Sequence, residues 1–461
     1  MKKIFKRVFL VVLLAGFGWV INYAWVSFPI ISGFGAKAVC TGVFVSHRNS
    51  DIIIKEELGD MPLSLGSFEI DMKDSSVTGS VFGLAKRKAI YRSGIGASVI
   101  NGLPEETIRK QVFNIPPAPV FNTDTIAWPM GDKLVDSIPA GIDKALLDMA
   151  ISKAFEEPFA DKQVRTRAVA IVYNGQLLAE KYANGINKNT QLYGWSMAKS
   201  VTSALIGTLV GQGKLDVNKP APVPEWKAAT DPRHAITLKN LLNQQSGLDF
   251  MEDYSGASDV TNMLYKEADM AAFTASHPLL NAPGSTFSYT SGNSNVIARI
   301  IRQTVGELEY AAYPFTDLFY KAGMYHTLFE PDASGTYVGS SYIMATARDY
   351  ARFGLLYMND GMVNNERILP EGWVQQTVTA PATNSSKNYG YQFWLNGFSG
   401  SDATKRVYPA APADMFYCDG YAGQFVYIIP SKKLVIVRLG LTLDGSFDEN
   451  GFLQNIIAAV K

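Results

Sequence analysis

Apolar residues along the chain are most concentrated in residues 8–26, a 19-residue run interrupted only by Asn22. At 1.5 Å per residue, a helix of that length nearly matches a hydrocarbon core of about 30 Å. The run predicts a helix that spans a membrane once, with the N-terminus in the cytoplasm. Basic residues before the run and aromatic residues toward its far end support this: Lys2, Lys3, Lys6, Arg7, Trp19, Tyr23, Trp25 and Phe28.

The same segment could instead be a cleaved signal peptide, because Ala36-Lys37-Ala38 has the A-x-A form of a cleavage site. The apolar run exceeds the roughly 7–15 residues of the apolar region of a signal peptide, which favours an uncleaved anchor. In both interpretations the remaining chain lies on the periplasmic or extracytoplasmic side of the cytoplasmic membrane. Cys40 and Cys418 could pair in that oxidising space or remain as two buried thiols.

Short β-like runs dominate from residue 39 to about residue 100, and Gly, Asp and Ser punctuate them. A stiff connection rich in proline follows and extends to residue 130. We therefore predict an anchor at 1–33, a β-rich unit with its connection at 34–130, and a main domain at 131–461. The predicted strands of the β-rich unit are 41–45, 52–55, 67–70, 77–82 and 89–91.

Two β-hairpins frame the main domain. The first turns at Asn174-Gly175, a dipeptide typical of tight hairpin turns. The second precedes a last helix at 451–460, and the segments between the hairpins have mostly helical patterns. Strands at both ends with helices between them predict an α+β fold, in which one antiparallel sheet is built from both ends of the domain beside a helical lobe. The hairpin strands are 168–173, 176–182, 425–429 and 434–439.

The overall composition excludes several classes of function. The 42 basic and 42 acidic residues cancel, so we expect no nucleic-acid partner. The four histidines and two cysteines show no ligand spacing, so we expect no metal and no cofactor. With 461 residues the chain is long enough for a large core, and its oligomeric state stays open.

The main chemical motif is Ser196-Met197-Ala198-Lys199, at the start of an apolar run that closes at Gly211. In a helix that begins there, Ser196 and Lys199 share a face, so the lysine nitrogen can reach the serine oxygen. A neutral amine can remove the hydroxyl proton and create a nucleophile. In isolation the motif is weak evidence for a catalytic site, because a serine at the start of a helix is usually only a helix cap.

Two later segments could complete a catalytic site. Tyr289 lies in a turn before a predicted helix, where its hydroxyl could transfer protons, although a structural tyrosine is the simpler interpretation. The turn from Asp419 to Gly423 precedes the last hairpin, and glycine at a strand edge lets a ligand approach closely. A main-chain N–H in this turn could form an oxyanion hole with the N–H of Ser196.

Together these motifs resemble the class C β-lactamase-related serine hydrolases. The resemblance rests on Ser196 to Lys199, on Pro283-Gly284 with Tyr289-Thr290-Ser291, and on the glycine-rich turn. It extends from about residue 163 to the C-terminus, and it implies the fold of serine β-lactamases and penicillin-binding proteins. The family includes β-lactamases, D-Ala-D-Ala carboxypeptidases, esterases and 6-aminohexanoate-dimer hydrolases.

The resemblance implies a role for each residue. Ser196 would be the nucleophile, Lys199 its base and Tyr289 the proton relay. The N–H groups of Ser196 and Tyr421 would be the oxyanion donors. Tyr254 resembles a substrate-contacting tyrosine of the amide-hydrolase branch, and a packing role is equally compatible. The supporting or substrate-binding positions are Ser291, Tyr254 and Gly420.

Two departures from the family pattern indicate one branch. The common Tyr-x-Asn is Tyr289-Thr290-Ser291 here, and Cys418-Asp419-Gly420 replaces the common Lys-Thr-Gly or His-x-Gly. The missing cation removes a group that would hold a carboxylate. Both changes resemble the 6-aminohexanoate-dimer hydrolase branch, so we predict a small amide or ester substrate.

Other interpretations remain open at this point. A D-Ala-D-Ala carboxypeptidase or penicillin-binding protein would share the motifs, and a membrane-tethered binding protein could keep the fold without turnover. An α/β-hydrolase needs a histidine that usually falls near the C-terminus. Only His234, His277 and His326 follow Ser196, and none lies there.

Overall fold

A computed structural model describes residues 2–135, 137–400 and 402–460, and for Lys2, Lys3, Trp19 and Val20 it describes the backbone alone. The predictions for the side chains of Lys2, Lys3 and Trp19 therefore lie outside the described residues. The helices are α1 Lys2–Phe44, α2 Ser50–Glu57, α3 Glu105–Arg109, α4 Lys144–Lys153, α5 Met197–Gly211, α6 Leu238–Leu242, α7 Asp259–Lys266, α8 Met270–Ala275, α9 Ser291–Val305, α10 Glu307–Tyr310, α11 Ala347–Met358, α12 Trp373–Thr377 and α13 Glu449–Ala458. The strands are β1 Gly66–Asp71, β2 Ser76–Val81, β3 Leu84–Arg92, β4 Gly96–Val99, β5 Thr166–Tyr173, β6 Gln176–Tyr182, β7 Leu192–Tyr193, β8 Leu328–Phe329, β9 Ile343–Ala345, β10 Met362–Val363, β11 Glu366–Arg367, β12 Trp394–Leu395, β13 Phe398–Ser399, β14 Asp402–Arg406, β15 Phe416–Gly420, β16 Gln424–Ile429 and β17 Leu434–Gly440.

The described chain divides into two compact units. Unit 1 extends to Gln111 and also includes Met251–Asp269 and Asp332–Gly335. Unit 2 contains Val112–Phe250, Met270–Pro331 and the residues from Thr336 onward. The division after Gln111 falls inside the predicted 34–130 part. Unit 1 also takes two segments from the region that the sequence assigned to the main domain.

Unit 1 has a four-stranded antiparallel sheet in the order β1-β2-β3-β4, and the second half of α1 packs against it. Apolar side chains of α1 between Ala36 and Phe44 share a core with Ile53 of α2 and with Val77 and Ala89 of the sheet. The predicted strands at 67–70, 77–82 and 89–91 are confirmed as β1, β2 and β3.

Two predicted strands of unit 1 are wrong. Residues 41–44 of the first belong to α1, and residues 52–55 belong to α2. Nearly every side chain from 36 to 45 is buried, so the apolar residues there do not show the periodicity by which a helix is recognised from its sequence. In α2 the Asn49 side chain caps the N–H groups of Asp51 and Ile52, and burial of Ile53 overrides the β propensity of three consecutive isoleucines.

Helix α1 changes character along its length. From Ile4 to Trp25 the described side chains are mostly exposed, and from Ser27 onward they are mostly buried. The helix is long and apolar enough to cross a membrane, and a signal sequence near an N-terminus meets the same criteria. The predicted apolar helix is therefore confirmed.

Unit 2 is organised on a six-stranded sheet in the order β12-β15-β16-β17-β5-β6, and all neighbouring strands are antiparallel. Both predicted hairpins are confirmed. The β5–β6 turn has positive φ at Asn174 (48°) and Gly175 (80°), as a two-residue hairpin of this type requires. Strand β17 pairs with β5, so the sheet is built from both ends of the domain, as predicted.

Helices cover both faces of this sheet. On one face α4 and α13 share a core with Ile171, Tyr427 and Ile436. On the other face α5, α9 and α11 contribute to a second and more extensive core. The residues of α5 from Met197 to Leu209 are all buried. Core packing therefore fixes the start of α5, where Ser196 and Lys199 lie.

Candidate active site

Ser196 immediately precedes α5, and its side chain makes no capping hydrogen bond. Its Oγ lies instead 3.1 Å from Lys199 Nζ. The interpretation of Ser196 as a simple cap therefore does not hold. The first N–H groups of a helix have no acceptor within the helix, so this end of α5 favours negative charge.

Lys199 is 1% exposed and is surrounded by oxygen atoms. Its Nζ lies 3.1 Å from Ser196 Oγ, 3.1 Å from Ser291 Oγ and 2.9 Å from the main-chain oxygen of Ser340. An ammonium group can donate to all three. A neutral amine can donate to Ser291 and Ser340 while it accepts the Ser196 hydroxyl proton. The geometry therefore accommodates both protonation states of Lys199, before and after it takes the proton of Ser196.

The Ser340 carbonyl is a contact that sequence reasoning missed. Asn295 Oδ1 accepts the N–H of Ser340 at 3.1 Å, and Thr202 Oγ1 donates to the oxygen of Gly339 at 3.0 Å. A Cβ on Gly339 would lie 2.7 Å from Thr202 Oγ1 and 2.9 Å from Ala298, so glycine is required there. A functional main-chain oxygen has no signature in residue type, so the sequence held no sign of it.

Tyr289 lies beside Lys199 in unit 2. Lys199 Nζ is 4.9 Å from the centre of the Tyr289 ring. The ring stacks on Trp394 with centroids 5.4 Å apart, and it meets Tyr389 edge-on at 5.9 Å. The structure thus brings Ser196, Lys199 and Tyr289 together, and their catalytic roles stay predictions.

The glycine-rich turn lies against the segment that leads into Ser196. A Cβ on Gly420 would come within 2.1 Å of the main-chain oxygen of Gly194, so only glycine fits. The Tyr421 ring meets the edge of Trp195 with centroids 5.7 Å apart, and Trp195 has a φ of 47°. The oxyanion role of the N–H groups of Ser196 and Tyr421 stays a prediction.

Cys418 and Asp419 lie near the end of β15, at the positions where the predicted resemblance expects a cation. Burial raises the pKa of the Cys418 thiol to about 12, so the thiol stays protonated. Burial, with the Glu449 charge as a second cause, raises the pKa of the Asp419 carboxyl to about 7. The sulfur of Cys40 in unit 1 lies 3.7 Å from its hydrogen-bond acceptor, the oxygen of Ala89. Both cysteines are buried thiols, which confirms that alternative.

Tyr254 lies in the Met251–Asp269 segment of unit 1, whereas the other predicted site residues lie in unit 2. Its side chain is 55% exposed, and its hydroxyl donates to Glu252 Oε1 at 2.9 Å. A contact between Tyr254 and substrate stays a prediction. Within the described ranges, no group of three or more His, Cys, Asp or Glu side chains is arranged to hold a metal ion.

Comparison with known proteins identifies the family. The beta-lactamase family profile matches residues 151–454. The chain belongs to the beta-lactamase family. A 6-aminohexanoate-dimer hydrolase from Paenarthrobacter ureafaciens is 24% identical over 298 residues, which cover 59% of this chain and 72% of that protein.

Solved structures share the fold of this beta-lactamase family member. A proposed 6-aminohexanoate-dimer hydrolase from Bacillus anthracis is similar with a TM-score of 0.53 at 24% identity, covering 75% of this chain and 87% of that one. A family VIII carboxylesterase is similar with a TM-score of 0.55 at 14% identity, covering 71% of this chain and 99% of that one. The predicted resemblance and fold are confirmed, and the chain is a serine hydrolase of a family that acts on small amide or ester substrates.

Proposed function

We propose that the chain cleaves its substrate through an acyl-enzyme on Ser196, with Lys199 as the base and Tyr289 as the proton relay. The observation that carries this proposal is a buried lysine amine 3.1 Å from the Oγ of a serine at a helix start. The N–H groups of Ser196 and Tyr421 are the proposed oxyanion donors. Each such donor stabilises a transition state by about 3–4 kcal/mol.

The proposed reaction has two halves. Lys199 takes the Ser196 proton as Oγ attacks the substrate carbonyl carbon, which forms a tetrahedral intermediate. Tyr289 gives its proton to the leaving oxygen or nitrogen as the bond to the acyl carbon breaks, and the lysine proton restores the tyrosine. Water then attacks the acyl-enzyme and gives up a proton to Lys199 through Tyr289. The bond between Ser196 Oγ and the acyl carbon then breaks, Lys199 returns its proton to Oγ, and the carboxylic acid leaves.

The third motif favours a substrate that is not held by a carboxylate. Cys418-Asp419-Gly420 contributes no positive charge, and ionised Asp419 would repel an anionic group. The similar 6-aminohexanoate-dimer hydrolase supports short linear amides as one substrate class to examine. Trp195 precedes the nucleophile in sequence and Trp394 stacks on Tyr289, and these aromatic rings favour apolar groups next to the scissile bond.

A fluorophosphonate probe tests the proposal, because it bonds covalently to an activated serine. With the full-length chain in detergent, we expect one adduct by intact mass and its position at Ser196 by peptide mapping. Ser196→Ala should give none. Ser203→Ala, on the same helix, should label as the wild type does. Absence of an adduct on the wild type would favour a membrane-tethered binding protein without turnover.

Labelled penicillin separates the proposed function from a carboxypeptidase or penicillin-binding role. We expect the fluorophosphonate adduct without a stable penicillin adduct, because the third motif supplies no cation for the penicillin carboxylate. A screen of esters, short amides, D-peptides and a chromogenic β-lactam would then define the substrate.

We also propose that α1 is retained and anchors the chain in the cytoplasmic membrane, with the catalytic domain on the periplasmic or extracytoplasmic side. The exposed part of α1, from Ile4 to Trp25, is about 33 Å long, close to a hydrocarbon core of about 30 Å. The A-x-A site lies in the buried part of the same helix, with Ala36 0% and Ala38 1% exposed. Cleavage after Ala38 would therefore remove residues that pack against the unit 1 sheet.

Retention of α1 predicts a full-length chain of 50.4 kDa in the membrane fraction of an expressing bacterium, measured by intact mass. Leu14→Arg, in the exposed part of α1, places a charge at bilayer depth at a cost of about 2.5–3.5 kcal/mol. That variant should release chain from the membrane while the unit 1 core stays intact. A mature product that begins at Val39 would contradict retention.

A further inference from the structure

Gln244 holds the main chain on both sides of Tyr289. Its main-chain oxygen accepts the N–H of Ser288 at 2.8 Å, and its Oε1 accepts the N–H of Thr290 at 3.1 Å. Asn293 Nδ2 donates to the same Oε1 at 2.8 Å, and two donors aimed at one atom identify it as the amide oxygen. Gln244 is fully buried and has a φ of 57°, which residues other than glycine rarely adopt.

A second buried glutamine, Gln392, connects Gln244 to the catalytic helix. Gln244 Nε2 and Ser294 Oγ both donate to Gln392 Oε1, at 3.4 and 2.7 Å. Ser200 Oγ, on α5, donates to the main-chain oxygen of Gln392 at 2.7 Å. Hydrogen bonds therefore link the Tyr289 segment, α9 and α5 into one buried network.

These hydrogen bonds fix the main chain on both sides of Tyr289, whereas the aromatic contacts act on its ring. Stacking on Trp394 and the edge contact with Tyr389 restrict the plane of the ring, but such contacts tolerate sliding. The ring moves with the main chain of Ser288 and Thr290, and Gln244 binds both N–H groups. A displacement of about 1 Å at a reacting group can lower a rate by about 100-fold.

We propose that Gln244 is a positioning residue that sets the Tyr289 hydroxyl against the leaving group. This inference rests on the proposed roles of Ser196, Lys199 and Tyr289. In the step concerned, the C–O or C–N bond of the tetrahedral intermediate breaks and its electron pair leaves with the oxygen or nitrogen. The Tyr289 proton moves to that atom. An alkoxide needs this proton, whereas p-nitrophenolate departs as a stable anion without it.

Two esters of the same acid test the inference on the full-length chain, one with an alkyl alcohol and one with p-nitrophenol. Gln244→Met keeps the side-chain length and removes both polar atoms. We expect its kcat/KM for the alkyl ester to fall on the order of 10- to 100-fold. Its kcat/KM for the p-nitrophenyl ester and its fluorophosphonate labelling rate should stay near wild-type values. Gln244→Glu retains an oxygen acceptor for Thr290 and should recover most of the alkyl-ester activity.

Asn396→Ala is the matched control. Asn396 is also a buried amide, and its Nδ2 donates to the main-chain oxygens of Tyr408, Ala411 and Pro412. Its loss should lower stability and leave the ratio of the two ester activities unchanged. A purely structural role for Gln244 would give the same unchanged ratio.

The outcomes separate this inference from the proposed function. If folded Gln244→Met has the wild-type ratio of the two kcat/KM values, whether both are unchanged or both fall equally, the positioning role is overturned. Should that variant fail to fold, Gln244→Asn replaces it, since asparagine stays polar but is shorter than the reach to Thr290 requires. The same criterion then applies. A wild-type chain that the probe does not label at Ser196 would defeat the proposed function itself.

Discussion

Replacement of Lys199 with alanine is expected to lower ester turnover by at least about 10³-fold while the chain stays folded. The substitution removes the amine that lies 3.1 Å from Ser196 Oγ, so the serine retains only the reactivity of an ordinary hydroxyl. It also leaves the Ser340 oxygen without the lysine N–H that it accepts at 2.9 Å. In the proposed mechanism Lys199 acts on the Ser196 proton and not on the substrate. Its loss should therefore affect the acylation rate far more than substrate binding.

Lys214→Ala is the matched control, because Lys214 is exposed just beyond the end of α5. Both variants should give wild-type circular dichroism, and only Lys199→Ala should lose p-nitrophenyl ester hydrolysis and fluorophosphonate labelling. Wild-type turnover by folded Lys199→Ala would remove this lysine from the mechanism, even if Ser196 were still labelled.

Asp132→Asn is expected to lower the free energy of unfolding by about 1.5–3 kcal/mol, the usual contribution of hydrogen bonds to a charged group. Asp132 Oδ1 lies 2.8 Å from Arg352 Nη2 and 3.1 Å from Arg348 Nη1, and all three side chains are buried. Asparagine removes the negative charge that the two arginines share, so that Arg352 keeps only Asp349 and Arg348 only Glu180 as a carboxylate partner. Arg352 also donates to the main-chain oxygens of Pro129 and Gly131, so this segment should loosen first.

The Asp132 carboxylate should also make the free energy of unfolding depend on pH at low pH. Burial alone would raise the pKa of Asp132, but hydrogen bonds and charges from Arg352 and Arg348 hold it well below its ordinary value of 3.8. A depressed pKa contributes stability above the unfolded-state value, and that stability is lost as the pH falls toward the folded-state value. The difference between wild type and Asp132→Asn should therefore be constant from about pH 5 to 8 and shrink below about pH 4.

Urea unfolding at a series of pH values measures this difference, and Asp124→Asn is the matched control. Asp124 is exposed and pairs with Lys188 at 2.6 Å, so its loss should change stability by less than about 1 kcal/mol. Equal effects of the two substitutions would show that the buried network adds nothing beyond a surface ion pair.

Local geometry explains the predictions that are confirmed. Residues three apart on a helix lie on one face whatever the rest of the chain does, so Ser196 and Lys199 could be paired from their spacing. The turn at Asn174-Gly175 follows from the positive φ that both residues tolerate. The interactions that stabilise these features involve residues close together in sequence, so a short stretch of sequence is enough to predict them.

The errors arise where packing overrides local preference. Residues 41–44 lie in α1 and residues 52–55 in α2, although their composition favours strands. Contacts between distant segments also group the segment that contains Tyr254 with unit 1, although it lies in sequence between parts of unit 2. A boundary of this kind depends on contacts between distant segments, and a linear pattern of apolar residues carries no record of them.

The sequence by itself determined the chemistry that the chain carries: a serine and a lysine three apart, an apolar N-terminal helix, and strands at both ends of the hydrolase domain. Tertiary structure alone decided how Lys199 is surrounded and what holds Tyr289. The Ser340 carbonyl lies 141 positions from Lys199, and Gln392 lies 148 positions from Gln244. Contacts of that range depend on main-chain and amide oxygens whose partners no residue type specifies, because almost every residue carries the same groups.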